Sequence, residues 1–259
     1  MISDYIKGLK FKIKKSLHYK KYGVDSSLTK YKDELKTLEK DGIVVLPDFF
    51  SKEVVAKIND EIKTTMFDLY EDKYTGENKN YRFEEFGVYR LLEIDKLSPT
   101  SKQFFELDIV NELAKAFVSK EVVSYQRMAE LKPSVGHFSV ADNWHFDDWK
   151  HRFKAFLYLN DVSDDEAPFV YLKGSHNPNI KWRERKEKEY YLYGKNQGSY
   201  GYFCPAEVDY IAKKYNHEEI VCNAKAGSVV IADTRGLHRG SVLRDNHRLV
   251  LVNFFDVRN

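Results

Sequence analysis

The chain of 259 residues has little cysteine: Cys204 and Cys222 are too few for a disulfide framework and lack the paired spacing of a zinc site. Reduced thiols in an intracellular protein are the expectation. Long apolar runs are also missing. The longest, such as Leu249–Val252, are strand-sized, so no segment reads as a membrane span. The N-terminus carries no apolar leader core, and we expect a cytoplasmic protein. Neither an internal repeat nor a low-complexity tract is present. A charged fraction of 32% beside 42% apolar and 15% aromatic residues describes a chain able to fold around a substantial core.

Charge is nearly balanced at +2, but seven lysines against Asp4 give residues 1–21 a charge of +6 and leave −4 for the remainder. A slightly acidic body argues against a nucleic-acid partner. Within the basic segment Ile2, Ile6, Leu9, Ile13 and Leu17 recur at three- and four-residue spacings, the mark of an amphipathic helix. Residues 1–27 are therefore expected to be a basic amphipathic extension whose apolar stripe packs on the main domain. Contact with a membrane surface is the alternative use of such a helix.

Residues 28–259 read as one domain. Helical periodicity covers 28–40, runs from the N-cap Ser51 to about Thr65, and returns at 100–118; a short buried-type strand follows Gly42. Residues 70–92 read as loop, with a strand near 86–93. Strand-like segments then dominate, at 121–131, 138–147, 152–160, 168–172, 218–224, 228–232, 237–243 and 248–256. Turns at Lys132-Pro133, Gly174-Ser175, Ala226-Gly227 and Asp245-Asn246 punctuate them. This order predicts a mainly β protein with supporting helices, a double-sheet jelly roll behind a helical N-terminal third. Residues 178–215 interrupt it with a basic stretch and then Tyr190, Tyr191, Tyr193, Tyr200 and Tyr202. A lid-like insertion and a solvated surface helix are equally good readings of that segment.

Chemistry concentrates in Trp144-His145-Phe146-Asp147 and in His238. An extended strand aims alternate side chains one way, so His145 and Asp147 can share a target. Two imidazoles and a carboxylate with positions left open form the donor set of non-haem Fe(II) oxygenases. The tripeptide alone is common by chance, and its neighbours must decide. They come in order: Asp41-Gly42-Ile43-Val44-Val45-Leu46-Pro47, Lys132-Pro133, the Gly174-Ser175-His176 turn, His238-Arg239-Gly240-Ser241 and Arg248.

That series, from about Lys32 to Phe255, resembles the phytanoyl-CoA dioxygenase family of Fe(II)/2-oxoglutarate oxygenases, which includes ectoine hydroxylase. The resemblance implies a double-stranded β-helix (cupin-like) fold. It implies oxidative decarboxylation of 2-oxoglutarate with O2 to succinate and CO2, coupled to hydroxylation of a small-molecule or carrier-bound metabolite. Carried over by position, His145, Asp147 and His238 would bind Fe(II), and Arg248 the far carboxylate of 2-oxoglutarate. Ser241 would add a hydroxyl there, or is simply a turn serine. Arg248 opens an apolar run, and a buried guanidinium needs an anionic partner. Related halogenases replace the carboxylate, so Asp147 points to hydroxylation or another ordinary oxidation.

Departures from the family pattern fall at Phe146, at Lys173 where a proline is common, and at Met128 and Glu130, where further cosubstrate contacts are expected. Strand parity could instead turn Tyr125 and Arg127 inward. Trp149 and His151 follow the metal motif closely enough to shape the pocket mouth, and His176 reads as structural. The basic, tyrosine-rich excursion, with Arg183 and Arg185, suggests a polar or anionic substrate. Two rival readings are a non-catalytic jelly-roll ligand-binding module and a cupin metalloenzyme that does not use 2-oxoglutarate; the second leaves Arg248 unexplained.

Overall fold

Period-two alternation in the strands sorts side chains onto two faces, and that sorting organises the molecule. The computed structural model describes residues 2–71, 81–84, 88–133, 140–177, 180, 186–187, 191 and 202–257. The strands are β1 (Ile43–Leu46), β2 (Tyr81–Glu84), β3 (Val88–Leu92), β4 (Val122–Lys132), β5 (Trp144–His145), β6 (Phe153–Tyr158), β7 (Val170–Leu172), β8 (Tyr202–Phe203), β9 (Glu219–Val221), β10 (Val229–Asp233), β11 (His238–Arg239) and β12 (Arg248–Val257). They pair antiparallel in two sheets, a larger one ordered β1-β10-β6-β12-β4-β3-β2 and a smaller one ordered β8-β5-β11-β7-β9. This is the double-sheet jelly roll expected from the strand spacing. β4 and β12, the longest strands, match their predicted bounds to within a residue or two. β5 is much shorter than the predicted 138–147, because a 3-10 turn at Val140–Asp142 interrupts that segment.

On the outer face of the larger sheet, Ala155, Leu157, Val229, Ile231, Leu249 and Leu251 join one buried cluster with the helices. Those helices include α2 (Lys32–Asp41), α3 (Lys52–Tyr70) and α6 (Asp108–Phe117). α3 starts where the Ser51 side chain accepts from the Val54 amide, and it buries Val55, Ile58, Ile62 and Met66 at helical spacing. Truncating one such buried side chain to alanine costs about 2–5 kcal/mol. The alternate residues of the same strands, among them Met128, Tyr158, Val230, Val250 and Val252, face the space between the sheets. Two short helices, α4 (Ile94–Leu97) and α5 (Lys102–Phe105), connect β3 to α6.

Most of 178–201, including Arg183 and Arg185, lies outside the described residues. The rest of that excursion is β8 and the helix α7 (Pro205–Tyr215), which covers the outer face of the smaller sheet. Its start is a capping arrangement, with the Glu207 carboxylate accepting from the Cys204 amide at 3.1 Å. Val208 and Ile211 then pack with Trp144, Phe146, Val170 and Leu237.

The N-terminal helix α1 (Ile2–Lys21) corrects an expectation. Its aliphatic stripe does not pack on the domain: Ile6, Leu9, Ile13 and Leu17 are 47%, 51%, 54% and 61% exposed. The opposite face docks instead. Phe11, 1% exposed, meets the Trp149 ring edge-on at 5.4 Å and the Tyr191 ring at 5.0 Å. Tyr19 donates to the Trp149 carbonyl at 2.7 Å and accepts from Arg235 at 3.1 Å. His18 Nε2 lies 3.1 Å from His151 Nδ1, and Lys15 pairs with buried Glu187. The aromatic face wins because it brings both apolar area and fixed hydrogen-bond partners, whereas the aliphatic stripe could bring area alone.

Burial, reinforced by the charge of Arg235, pushes His18 down to about 4 and His151 well below the ordinary imidazole range. In the unfolded chain both regain a value near 6.5, so that state binds more protons between about pH 4 and 6.5. Stability is therefore complete above that window and lost as pH falls through it. Thermal melts should show the midpoint dropping from pH 7 to 5, before carboxylates titrate. A His18→Asn variant should flatten this slope, and an unchanged midpoint across the window would contradict it.

Candidate metal centre

β5 and β11 lie side by side in the smaller sheet, with His145 directly opposite His238. Both imidazoles point between the sheets, their centroids 4.3 Å apart. Alternation then turns Phe146 outward, where it is 1% exposed in the cluster beneath α7. The same alternation returns Asp147 to the inner side. Its amide donates to the Thr234 carbonyl at 2.9 Å, which holds the chain in place beyond the end of the strand. Asp147 Oδ1 lies 3.9 Å from His145 Nε2 and 3.8 Å from His238 Nε2. The three donor atoms fall within 4.8 Å of one another.

The backbone sets the tautomers. His145 Nδ1 is 2.7 Å from the Asn143 carbonyl, and His238 Nδ1 is 2.9 Å from the Gly236 carbonyl. A carbonyl can only accept, so each Nδ1 carries the proton and each Nε2 presents its lone pair to the centre. Burial, with His145 alongside, holds His238 down to about 3, which keeps it in the neutral, ligating form. Lys154 on β6 reaches across to Asp147 Oδ2 at 2.6 Å while lying 4.6 Å over the Phe254 ring. That contact fixes the carboxylate rotation that aims Oδ1 at the imidazoles. Imidazole and carboxylate donors with open space beside them fit Fe(II).

These groups line one end of a cavity of about 350 Å³ between the sheets. At the other end Arg248 donates from one Nη to the Ala167 carbonyl at 2.6 Å and from the other to Glu130 at 2.7 Å. Arg90 on β3 holds the second Glu130 oxygen at 2.7 Å. Burial alone would raise the Glu130 carboxyl, but Arg90 and Arg248 outweigh it and hold the group down to about 2. Arg248 Nε is buried with no hydrogen-bond partner among the described residues. Among the described residues that line the cavity, Arg90, Lys154 and Arg248 stand beside the two carboxylates Glu130 and Asp147. The unsatisfied guanidinium edge of Arg248 fits a carboxylate of a dicarboxylate cosubstrate.

Two alternatives left open by the sequence are narrowed here. Gln126, Met128 and Glu130 are the cavity-lining residues of β4, while Arg127 turns away to Asp95. Ser241 does not line the cavity: its hydroxyl accepts from Arg239 at 3.2 Å, and its carbonyl accepts from Lys132. Alternation from His238 brings Gly240 inward and sends Ser241 the other way. The sequence reading missed Lys154 and Arg90. Lys154 was findable, since it shares the parity of Phe156 and Tyr158 and so breaks an apolar inner face. A larger hollow, about 880 Å³, lies under α1 between Phe11, Tyr19, His151 and Arg235, and none of the three donors reaches it.

Comparison with known proteins bears on this geometry. The family model described as phytanoyl-CoA dioxygenase (PhyH) matches residues 38–244, which span all three donors. The chain belongs to the phytanoyl-CoA dioxygenase family. It is 23% identical over 218 residues to an ectoine dioxygenase of Bordetella bronchiseptica, covering 80% of this chain and 68% of that protein. The structure of EctD from S. alaskensis with 2-oxoglutarate and 5-hydroxyectoine superposes with a TM-score of 0.63 at 15% identity, over 90% of this chain and 78% of that one. SnoN, a non-haem α-ketoglutarate-dependent epimerase of nogalamycin biosynthesis, gives 0.58 at 15% identity, over 89% and 83%. At such identities the solved structures show that this member of the phytanoyl-CoA dioxygenase family shares their fold.

Gly236, whose carbonyl orients His238, admits no side chain. A Cβ there would fall 2.0 Å from the Tyr171 hydroxyl, which is fully buried and donates to the Asp233 carbonyl. Gly236→Ala should destabilise the fold by about 1–3 kcal/mol in denaturant titrations. Unchanged stability would show that this corner yields freely.

Proposed function

We propose that this protein is an Fe(II)- and 2-oxoglutarate-dependent oxygenase that hydroxylates a small molecule. In this reading His145, Asp147 and His238 hold the iron and Arg248 anchors the far carboxylate of 2-oxoglutarate. The observation that carries it is the cross-strand pair His145–His238 sharing one cavity with Asp147 and, at the opposite end, Arg248. Bound iron would supply the oxidative chemistry, coupling decarboxylation of 2-oxoglutarate to succinate and CO2 with insertion of one O2 oxygen into a C–H bond.

The chain's own residues do the rest. The Asn143 and Gly236 carbonyls keep both imidazoles in the ligating tautomer, and Lys154 fixes the carboxylate. Arg248 offers its Nε edge to a carboxylate, and Glu130 with the Ala167 carbonyl keeps the guanidinium from swinging away. Met128, Phe156, Phe169, Val250 and Val252 make an apolar wall that excludes water from the reacting atoms. Gln126, Arg90 and Tyr202 add polar groups to the same cavity, which favours a polar or anionic substrate of modest size. Small-molecule substrates fit the relatives named for ectoine. A pure binding module would have no use for this donor set together with the arginine. With its two free thiols, Cys204 and Cys222, the protein suits a reducing compartment, and we place it in the cytoplasm.

The test is O2-dependent conversion of 2-oxoglutarate to succinate and CO2. Asp147→Ala should abolish it, and Arg248→Met should raise the half-saturating 2-oxoglutarate concentration about tenfold or more. Turnover at the wild-type rate in Asp147→Ala would contradict the assignment.

A further inference from the structure

α1 is mounted with its aliphatic side outward. Ile6, Leu9, Ile13 and Leu17 follow one another at three- and four-residue intervals, so they form a single line along the helix, each about half exposed or more. The other exposed large apolar side chains, such as Phe49, Leu97, Val123 and Tyr210, are scattered one to an element. Exposed Lys7, Lys10, Lys14 and Lys21 run beside the line on one flank, and Lys20 sits within it toward the C-terminal end. The helix is not loosely held. Phe11, Tyr19 and His18 pin the opposite face to Trp149 and His151, and Lys15 pairs with Glu187, so the stripe is presented on a fixed support.

We infer that this face of α1 is a docking surface for an anionic lipid bilayer. Aliphatic side chains at the centre and lysine ammonium groups at the edge match the two layers of a bilayer surface, acyl chains below and anionic headgroups above. A second copy of the chain is the poorer occupant. Pairing through the stripe would bring together two segments that each carry +6, given seven lysines and one aspartate in residues 1–21. A nucleic acid would match the lysines and leave the stripe in water. Attachment is peripheral, since no helix among the described residues is long and apolar enough to cross a membrane. The residues that clamp α1 lie close to the metal site in sequence: Trp149 and His151 follow Asp147, and Arg235 precedes His238. A docked helix therefore holds the cavity-bearing body against the surface rather than on a tether.

The experiment is co-sedimentation of the full-length protein with vesicles of phosphatidylcholine alone or with about a third phosphatidylserine. The protein should bind the anionic vesicles at least about tenfold more tightly than the neutral ones. Ile13→Asp with Leu17→Asp, at positions exposed in the fold, should abolish binding. Lys7→Glu with Lys10→Glu should weaken it about tenfold while leaving the helix apolar line intact, and gives a separate reading if the first variant misfolds. No vesicle binding by the wild type overturns the proposal, as does equal binding to neutral and anionic vesicles. A stripe-dependent dimer in sedimentation velocity, without vesicle binding, assigns the face to a second copy and overturns it too.

Discussion

The pairing of His145 with His238 across β5 and β11 is the contact on which the site depends. Those strands are two residues long, yet their register decides which side chains meet. A slip of one strand by one residue would turn its imidazole to the outer face, where Phe146 and Leu237 now pack under α7, and part the pair. Apolar burial on the outside of the small sheet therefore enforces polar convergence on its inside. Phe146 takes its meaning from this: it anchors the parity of the residues on either side of it.

Charge in the cavity follows the same logic of fixed placement. Each carboxylate is held by a cation on a different strand, Asp147 by Lys154 and Glu130 by Arg90 and Arg248. Buried ion pairs of this kind contribute little net stability, because desolvation offsets their attraction. Their value is orientation: Lys154 aims one carboxylate oxygen at the imidazoles, and Glu130 keeps Arg248 extended with one edge unsatisfied. The cavity is thus prepared for a cation at one end and a carboxylate at the other.

Much of this was legible in the sequence, because strands whose inner and outer faces differ write a period-two signal. The segments 121–131, 152–160 and 248–256 carry it and emerge as β4, β6 and β12; His145, Asp147, His238 and Arg248 all emerge on one cavity. Long-range charge pairing was not legible. Arg90 and Arg248 reach Glu130 from 40 and 118 residues away, and no local pattern marks such partners. Of the two readings of Ser241, a cosubstrate contact implied by the resemblance or a turn serine, the geometry favours the second, since parity from His238 brings Gly240 rather than Ser241 to the cavity. The N-terminal helix was misread for a different reason: it has two candidate faces, and periodicity detects the aliphatic stripe more readily than Phe11, His18 and Tyr19. The helix α7 was hidden inside a polar stretch, although its Pro205 and Glu207 form a recognisable helix start.

The central claim is that His145, Asp147 and His238 form one iron site within reach of an anchored 2-oxoglutarate. Anaerobic addition of Fe(II) and then 2-oxoglutarate to the purified protein, followed by visible absorption, tests it most directly. The account predicts a charge-transfer band that needs both additions and is absent from a folded His238→Ala variant. A band of wild-type intensity in that variant, or none in the wild type, would contradict it.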